Sequence, residues 1–234
     1  KVARLQFMEE YVHALRGLFT GEEITYQGNR MRLRWAKRQV PIYIAGEGPA
    51  SLRLAGRIGD GVIVGMGLLP EVVASALSCI REGAEEAGRR LEDVDVWFMA
   101  RASVGEEMRA TVQFLRPSLA AAANHNFRFT LEGKGLPAEL HEPVHQLMQG
   151  YNVHFHSDSR EDNPNSRLLD DLGLTGYMAR RFAVVGTEAD CIDQVKAART
   201  AGVTGLIVRP LVRDNLEFIR RWRTVMQAVN DPRS

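Results

Sequence analysis

The sequence predicts an α/β protein built on a parallel sheet, and three observations carry that expectation. Short apolar, β-rich runs recur at VPIYIAG (40–46), GVIVG (61–65), VDVWFMARASV (94–104), RFAVVG (181–186) and GLIVRP (205–210). Stretches with helical spacing separate most of them, and strand alternating with helix is the pattern of βαβ units. Three of the runs end on glycine, as strands do when the chain must turn sharply into a helix.

The elements follow in order. KVARLQFMEEYVHALRGLF places Val2, Leu5, Met8, Val12, Leu15 and Leu18 at three- and four-residue spacing, one face of a helix that ends at Gly21. ITYQGNRMRLR reads as a hairpin, two alternating arms about a Gln-Gly-Asn turn. The run 40–46 is apolar enough for a strand buried on both faces. Residues 50–58 make a short helix with Leu54 and Ile58 one turn apart, and 61–65 is a second buried strand. PEVVASALSCIREGAEEAGRR is a longer helix that turns Val72, Ala76, Cys79, Ile80 and Gly83 inward, followed by the strand 94–104. Between about 116 and 178 the rhythm breaks, over a stretch with five of the six histidines and turn signals such as EDNPNS. It is too long for a plain connection and reads as an inserted lid within a single domain, 1–234. After the strand 181–186, Thr187 can cap the next helix, with Asp190 completing a capping box. The strand 205–210 and a last helix follow, the latter with Leu216, Ile219, Trp222, Val225, Met226 and Val229 on its apolar side.

Composition excludes several classes. The 234 residues are 45% hydrophobic and 25% charged, as in ordinary globular domains. Thirty Lys and Arg against 29 Asp and Glu leave a net charge of +1, not the basic excess of a phosphate-backbone binder, so nucleic acid is not an expected partner. No apolar run reaches the ~20 residues that span a bilayer, and no signal peptide opens the chain, so neither a membrane nor export is expected. Cys79 and Cys191 form no C-x-x-C, fall in predicted helices and read as buried thiols of a reducing cytoplasm.

The chemistry concentrates on two glycine turns. AGEGPAS (45–51) is a strand end, a tight turn and a helix start. Gly46 and Gly48 permit angles and close approaches that side chains block, and Pro49 suits the first helical position, where its missing N–H costs nothing. The amides of Ala50 and Ser51 then point out of a helix N-terminus, which favours an anion such as a phosphate. Glu47 must turn its carboxylate outward. The second turn, Gly65-Met66-Gly67, follows the next strand and can present its own amides, so the two turns together form one pocket rim at the carboxyl ends of parallel strands. A dinucleotide fold fits poorly, because Ser51 stands where the third glycine belongs and no acid follows the second strand to hold a ribose. A phosphate loop in a (β/α) barrel fits better.

In its order of elements the chain resembles the luciferase-like superfamily of flavin- and deazaflavin-dependent oxidoreductases, which are TIM (β/α)8 barrels. The matching pieces are EEYVHALRGLFTGEEITYQGNRMRL, VPIYIAGEGPASLRLAGRIGDGVIVG and RFAVVGTEADCIDQVKAARTAGVTGLIV, over roughly residues 5–104 and 177–229. GEGPAS followed by AGRIGDG is most similar to members that use coenzyme F420, such as methylenetetrahydromethanopterin reductases. The resemblance implies a hydride transferred between F420 and a small organic substrate, with the cofactor's phosphate on backbone amides at Ala45, Gly46, Glu47, Gly48, Pro49, Ala50, Gly65, Met66 and Gly67. FMN-dependent monooxygenase chemistry is the alternative on the same fold, and a non-catalytic cofactor-binding homologue is the alternative of another class. Homodimers or higher homo-oligomers are common in the family. The resemblance also implies that residues 1–20 are the helix after the fourth barrel strand, so that the chain corresponds to the second half of a barrel, with the catalytic residues on the first.

Other candidates are weaker. HEPVH (141–145) matches the H-E-x-x-H zinc motif, which needs a continuous helix; Pro143 interrupts it, at ~3 kcal/mol in a helix interior. At the longer motif's spacing, Met148 stands where glycine belongs and Tyr151 where the third ligand does, so no metal site is assigned. His154 and His156 would share one side of an extended segment and could face a substrate, against the plainer reading of solvated loop histidines. Arg101 and Arg209, near the ends of predicted strands, could bind an anionic substrate or cofactor tail, or form rim ion pairs. RRWR (220–223) reads as the wet side of the last helix around a buried Trp222.

Overall fold

The computed structural model describes residues 2–156, 158, 160 and 162–231, without the side chains of residues 2–4. Lys1, Glu161 of the EDNPNS signal and the side chain of Val2 therefore lie outside the described residues. The chain divides into two compact units, residues 1–63 with 77–96, and residues 64–76 with 97–234.

The first unit opens with α1 (Val2–Phe19) and an antiparallel hairpin, β1 (Ile24–Tyr26) and β2 (Asn29–Met31), in which Ile24 pairs with Met31. Of the predicted apolar face of α1, Val12 is buried, whereas Phe7 and Tyr11 stand outward and stack on each other with ring centroids 6.4 Å apart. β3 (Tyr43–Gly46), α2 (Pro49–Ile58) and β4 (Gly61–Val64) follow as a strand–helix–strand unit. The expectation that 40–46 is buried on both faces is corrected: Ile44 and Gly46 are buried, Tyr43 and Ala45 are exposed, and the extended stretch begins only at Tyr43. With one face covered, the period-2 alternation of a strand shows directly.

Close backbone approach locks α2 to the later turns of α3 (Pro70–Glu86). A Cβ on Gly83 would sit 1.8 Å from the Arg53 carbonyl oxygen, so no larger residue fits. Arg16 of α1 donates to the Ile58 carbonyl at 2.8 Å and to Asp60 at 3.1 Å, and Asp60 accepts from the Ile42 amide at 2.8 Å. One carboxylate thus ties α1 to the entry of β3.

From Trp97 on, β5 (Asp95–Val104) belongs to the second unit, where it lies between β6 (Ala183–Gly186) and β7 (Gly205–Pro210), parallel to both. The larger-sheet strands, β3 to β7, number five among the described residues, against the eight of a closed (β/α)8 barrel. The stretch 116–178 is mainly helical among its described residues. It comprises most of α4 (Met108–Phe127), then α5 (His141–Gly150), α6 (Pro164–Asp171) and the start of α7 (Thr175–Phe182), packed around Leu115, Leu119, Leu147, Leu169, Met178 and Phe182. The Asn163 side chain caps α6 by accepting from the Asn165 amide at 2.8 Å, with Pro164 at the first helical position.

α8 (Glu188–Thr200) and α9 (Asn215–Val229) close the unit. The apolar side predicted for α9 is corrected in its first turns. Phe218, Val225 and Val229 are buried and Trp222 is half-buried, while Leu216 and Ile219 point outward. Asp214 sets this start by accepting from the Leu216 and Glu217 amides at 2.8 and 3.1 Å. Cys191 is buried and its thiol pushed up to about 12 by desolvation, while Cys79 is half-buried.

The capping box of α8 forms as expected. Thr187 Oγ1 accepts from the Asp190 amide at 3.2 Å, and the Thr187 amide donates to Asp190 Oδ2 at 2.9 Å, which holds the Asp190 carboxyl below its ordinary range. Thr187→Ala should lower stability by about 1 kcal/mol at neutral pH, read from the urea midpoint. Asp190→Ala should also destabilise at pH 7, and its gap to the wild type should close in acid. A carboxyl depressed by folding stabilises above its unfolded pKa of about 3.9 and loses that contribution as the pH falls through the folded value.

Candidate functional site

The first glycine turn belongs to the first unit and joins β3 to α2. Gly48, the N-cap, has an extended backbone with φ −157° and ψ 161°, an angle pair open to any residue. Neither Gly46 nor Gly48 has the left-handed backbone that the glycine pattern suggested. What Gly46 needs is space, because its Cβ would lie 2.7 Å from the Leu52 side chain. Pro49 occupies the first helical position, and the first intrahelical bond runs from the Leu52 amide to the Gly48 carbonyl at 2.9 Å. The amides of Ala50 and Ser51 precede that bond and so have no partner within the helix. Ser51 Oγ accepts from the Gly48 amide at 3.2 Å and donates to the Gly48 carbonyl at 2.9 Å, folding its hydroxyl back onto the cap. Ala50 is exposed; Glu47, Gly48, Pro49 and Ser51 are half-buried. The result is a helix start whose first donors have no intrahelical acceptor and whose Ser51 hydroxyl is folded back onto the cap.

The second glycine turn belongs to the second unit and is built from behind. Arg181, fully buried on the last turn of α7, donates from Nε to the Met66 carbonyl at 2.9 Å, and its own carbonyl accepts from the Leu68 amide at 2.7 Å. Asn126 of α4 donates to the Gly65 carbonyl at 3.0 Å. Gly67 has φ +113°, and a Cβ there would lie 2.5 Å from the Arg181 carbonyl oxygen, so both angle and space require glycine. The remaining guanidinium donors reach the Gly135 carbonyl at 3.1 Å, the Tyr177 hydroxyl at 2.9 Å and the Lys134 carbonyl. Burial lowers the pKa of Arg181, yet a guanidinium stays charged. Sequence reading missed Arg181 and Asn126. It placed Arg181 at the start of a strand, although the chain is still helical there; the available signal was a charge inside the apolar run YMARRFAVVG.

The remaining candidates separate. Arg101 and Arg209 are register partners on β5 and β7, which puts both side chains on one sheet face near the strands' carboxyl ends. Arg101 Nε donates to the Ser118 hydroxyl at 2.8 Å, and Arg209 is exposed. His154 and His156 do not share a side: Asn152 accepts from the His154 amide at 3.0 Å and winds Val153–Phe155 into a 3-10 turn instead of an extended segment. Both histidines are exposed, and His156 Nδ1 meets the Tyr151 hydroxyl at 2.7 Å. HEPVH proves helical, because Pro143 falls in the first turn of α5, where its missing N–H breaks no bond. Among the described residues no group of three His, Cys, Asp or Glu is placed to hold a metal ion, and His141 Nε2 lies 3.1 Å from the Leu136 carbonyl. A cavity of about 490 Å³ beside the second turn is lined by Leu69, Glu71, Glu139, Leu140, Tyr177 and Arg180 among others.

Residues 2–205 match the family described as luciferase-like monooxygenase. The chain belongs to the luciferase-like monooxygenase family. Among relatives of this luciferase-like chain, an F420-dependent glucose-6-phosphate dehydrogenase of Nakamurella multipartita is 36% identical over 120 residues, covering 48% of the chain and 35% of the relative. A 5,10-methylenetetrahydromethanopterin reductase of Methanolobus tindarius is 26% identical over 215 residues, covering 89% and 61%. The solved structure of an F420-dependent secondary alcohol dehydrogenase with an F420–acetone adduct superposes with a TM-score of 0.61 at 19% identity, covering 98% of the chain and 63% of that structure. At that identity the likeness shows a shared luciferase-like fold. The chain spans less than two thirds of each of these proteins. Among the described residues no helix is long and apolar enough to cross a membrane.

Gly67→Ala should lower stability by about 1–3 kcal/mol through the strained backbone and the clash with Arg181. A fall in the urea midpoint, with faster hydrogen exchange at the Leu68 amide, checks it.

Proposed function

We propose that the chain is part of an F420-dependent oxidoreductase and that each of its two glycine turns, taken by itself, presents backbone suited to the cofactor's phosphate. The observation that carries this reading is the start of α2, where Pro49 leads a helix whose Ala50 and Ser51 amides have no intrahelical partner while Ser51 keeps its hydroxyl on Gly48. Such an N-terminus suits a phosphate, through its directed amides and its helix dipole. The positions proposed for the cofactor are Ala45 to Ala50 and Gly65 to Gly67. Bound F420 would supply the hydride chemistry; the protein's part is to anchor the tail, orient the ring and exclude water. The names of the relatives support F420 over FMN, which stays the alternative through the family's monooxygenases.

For the substrate, a small organic molecule, the cavity with Glu71, Glu139 and Arg180 is the proposed neighbour of the reacting end. Arg209, exposed beside Arg101, is the cation proposed for an anionic substrate or cofactor group. Cytoplasmic residence and a homo-oligomeric assembly complete the proposal on the strength of the family resemblance.

Ala50→Asp separates anion binding from helix stability. A carboxylate in the first turn should stabilise α2 by about 0.3–1 kcal/mol, yet repel a phosphate. The variant should therefore keep or raise its urea midpoint while its F420 dissociation constant, read by fluorescence titration, rises at least tenfold. Unchanged F420 affinity would remove the first turn from the site, and tight FMN binding without any response to F420 would favour the monooxygenase alternative.

A further inference from the structure

We propose that the turn following the hairpin of the first unit is a contact site for an anionic membrane surface, with Trp35 entering the headgroup region and Arg34, Lys37 and Arg38 meeting anionic lipid. The inference does not depend on the cofactor reading. The segment NRMRLRWAKRQVP (29–41) carries five cations, Arg30, Arg32, Arg34, Lys37 and Arg38, and no acid stands between Glu23 and Glu47. Without those five, the 30 Lys and Arg of the chain fall to 25 against 29 Asp and Glu, so its positive charge is gathered here.

The fold presents this segment outward. The Ala36 amide donates to the Leu33 carbonyl at 3.1 Å, which closes a β-turn with Arg34 and Trp35 at its two central positions. The base of the turn is fastened beside the end of α1. Arg32 Nε donates to the Gly21 carbonyl at 2.7 Å, and Gly21, at φ +79°, lies so close that a Cβ there would sit 2.5 Å from the Ala36 carbonyl oxygen. Leu33 is half-buried and Ala36 buried at this base, which leaves Arg34 and Trp35 to project. Trp35 is 77% exposed, and its ring meets no other ring or cation among the described residues. Arg30 Nε donates to Glu23 at 3.0 Å, whereas Arg34, Lys37 and Arg38 are exposed and have no hydrogen-bond or ion-pair partner among the described residues.

Shape and chemistry select the partner. A peptide is recognised in a groove or along a strand edge, and a protruding turn offers neither. A nucleic acid would stack a base on the ring and set its phosphates on the cations, but it makes no use of the aliphatic surface that follows, where Val40 is 45% exposed and Pro41 is exposed as well. A bilayer interface uses all three features. Tryptophan settles at headgroup level, aliphatic side chains reach the acyl boundary, and clustered Lys and Arg are drawn to anionic lipid. Such contact needs no spanning helix, and none is present among the described residues.

Co-sedimentation of the intact protein with vesicles tests the proposal. Vesicles of equal parts phosphatidylcholine and phosphatidylserine should carry the protein down, and vesicles of phosphatidylcholine alone should not. Neutralising one cation, as in Lys37→Gln, should weaken binding about fivefold, and the triple change Arg34→Gln, Lys37→Gln and Arg38→Gln about a hundredfold. Trp35→Ala should weaken it several-fold while leaving its salt dependence in place, and Trp35→Phe should recover part of that loss. All of these variants should keep the wild-type urea midpoint, since the side chains they alter have no partners in the fold. No binding to the anionic vesicles, equal binding to both kinds, or full binding by the triple variant overturns the proposal. So does binding to a single-stranded oligonucleotide or to polyaspartate at the same salt without binding to the vesicles.

Discussion

The second unit depends on the burial of one guanidinium. Arg181 cannot shed its charge, so every donor it carries must find an acceptor in a place water does not reach. The structure meets that demand with neutral groups drawn from distant parts of the sequence: the Met66 carbonyl at the end of a strand, the 134–135 loop and the Tyr177 phenol one helical turn back. Each acceptor is pulled to a defined position in return. The order of the glycine turn, the loop between α4 and α5 and the last turn of α7 are consequences of one desolvated side chain.

The two glycine turns are built by different physics. At Gly46–Ala50 the donors arise from helix geometry, since the first amides of any α-helix lack intrahelical acceptors and Pro49 removes one that would have been left over. At Gly65–Gly67 no helix is involved. Side chains grip the carbonyls, the peptide planes turn, and the amides are left facing the other way. The first arrangement depends on the close fit of Gly46 against Leu52, the second on the grip of Arg181 and Asn126.

Much of this was legible in the sequence where periodicity and local chemistry decide the outcome. The strands ending on Gly46 and Gly186, the Thr187–Asp190 box and the helix opening at Pro49 are local features, and they stand within a residue or two of where the pattern puts them. What depended on tertiary packing was not legible. Nothing local says that Leu216 and Ile219 face outward while Phe218 turns in, because Asp214 sets where α9 begins. Pro143 looked like a helix breaker until the helix was seen to begin at His141. The Met66 carbonyl that Arg181 holds lies 115 residues away in the sequence, so its role could not be read from spacing at all. The glycines were read rightly as turns, but for mixed reasons: Gly67 needs its backbone angle, Gly46 needs only room.

A diffraction structure of the whole protein with F420 bound is the most direct measurement. The phosphate is predicted within hydrogen-bonding distance, about 3 Å, of the amides of Ala50 and Ser51 or of Met66 and Gly67, with Asn126 and Arg181 keeping their grip on the Gly65 and Met66 carbonyls. A phosphate bound elsewhere, held by side chains and touching neither turn, would contradict the assignment of these turns as the anchor.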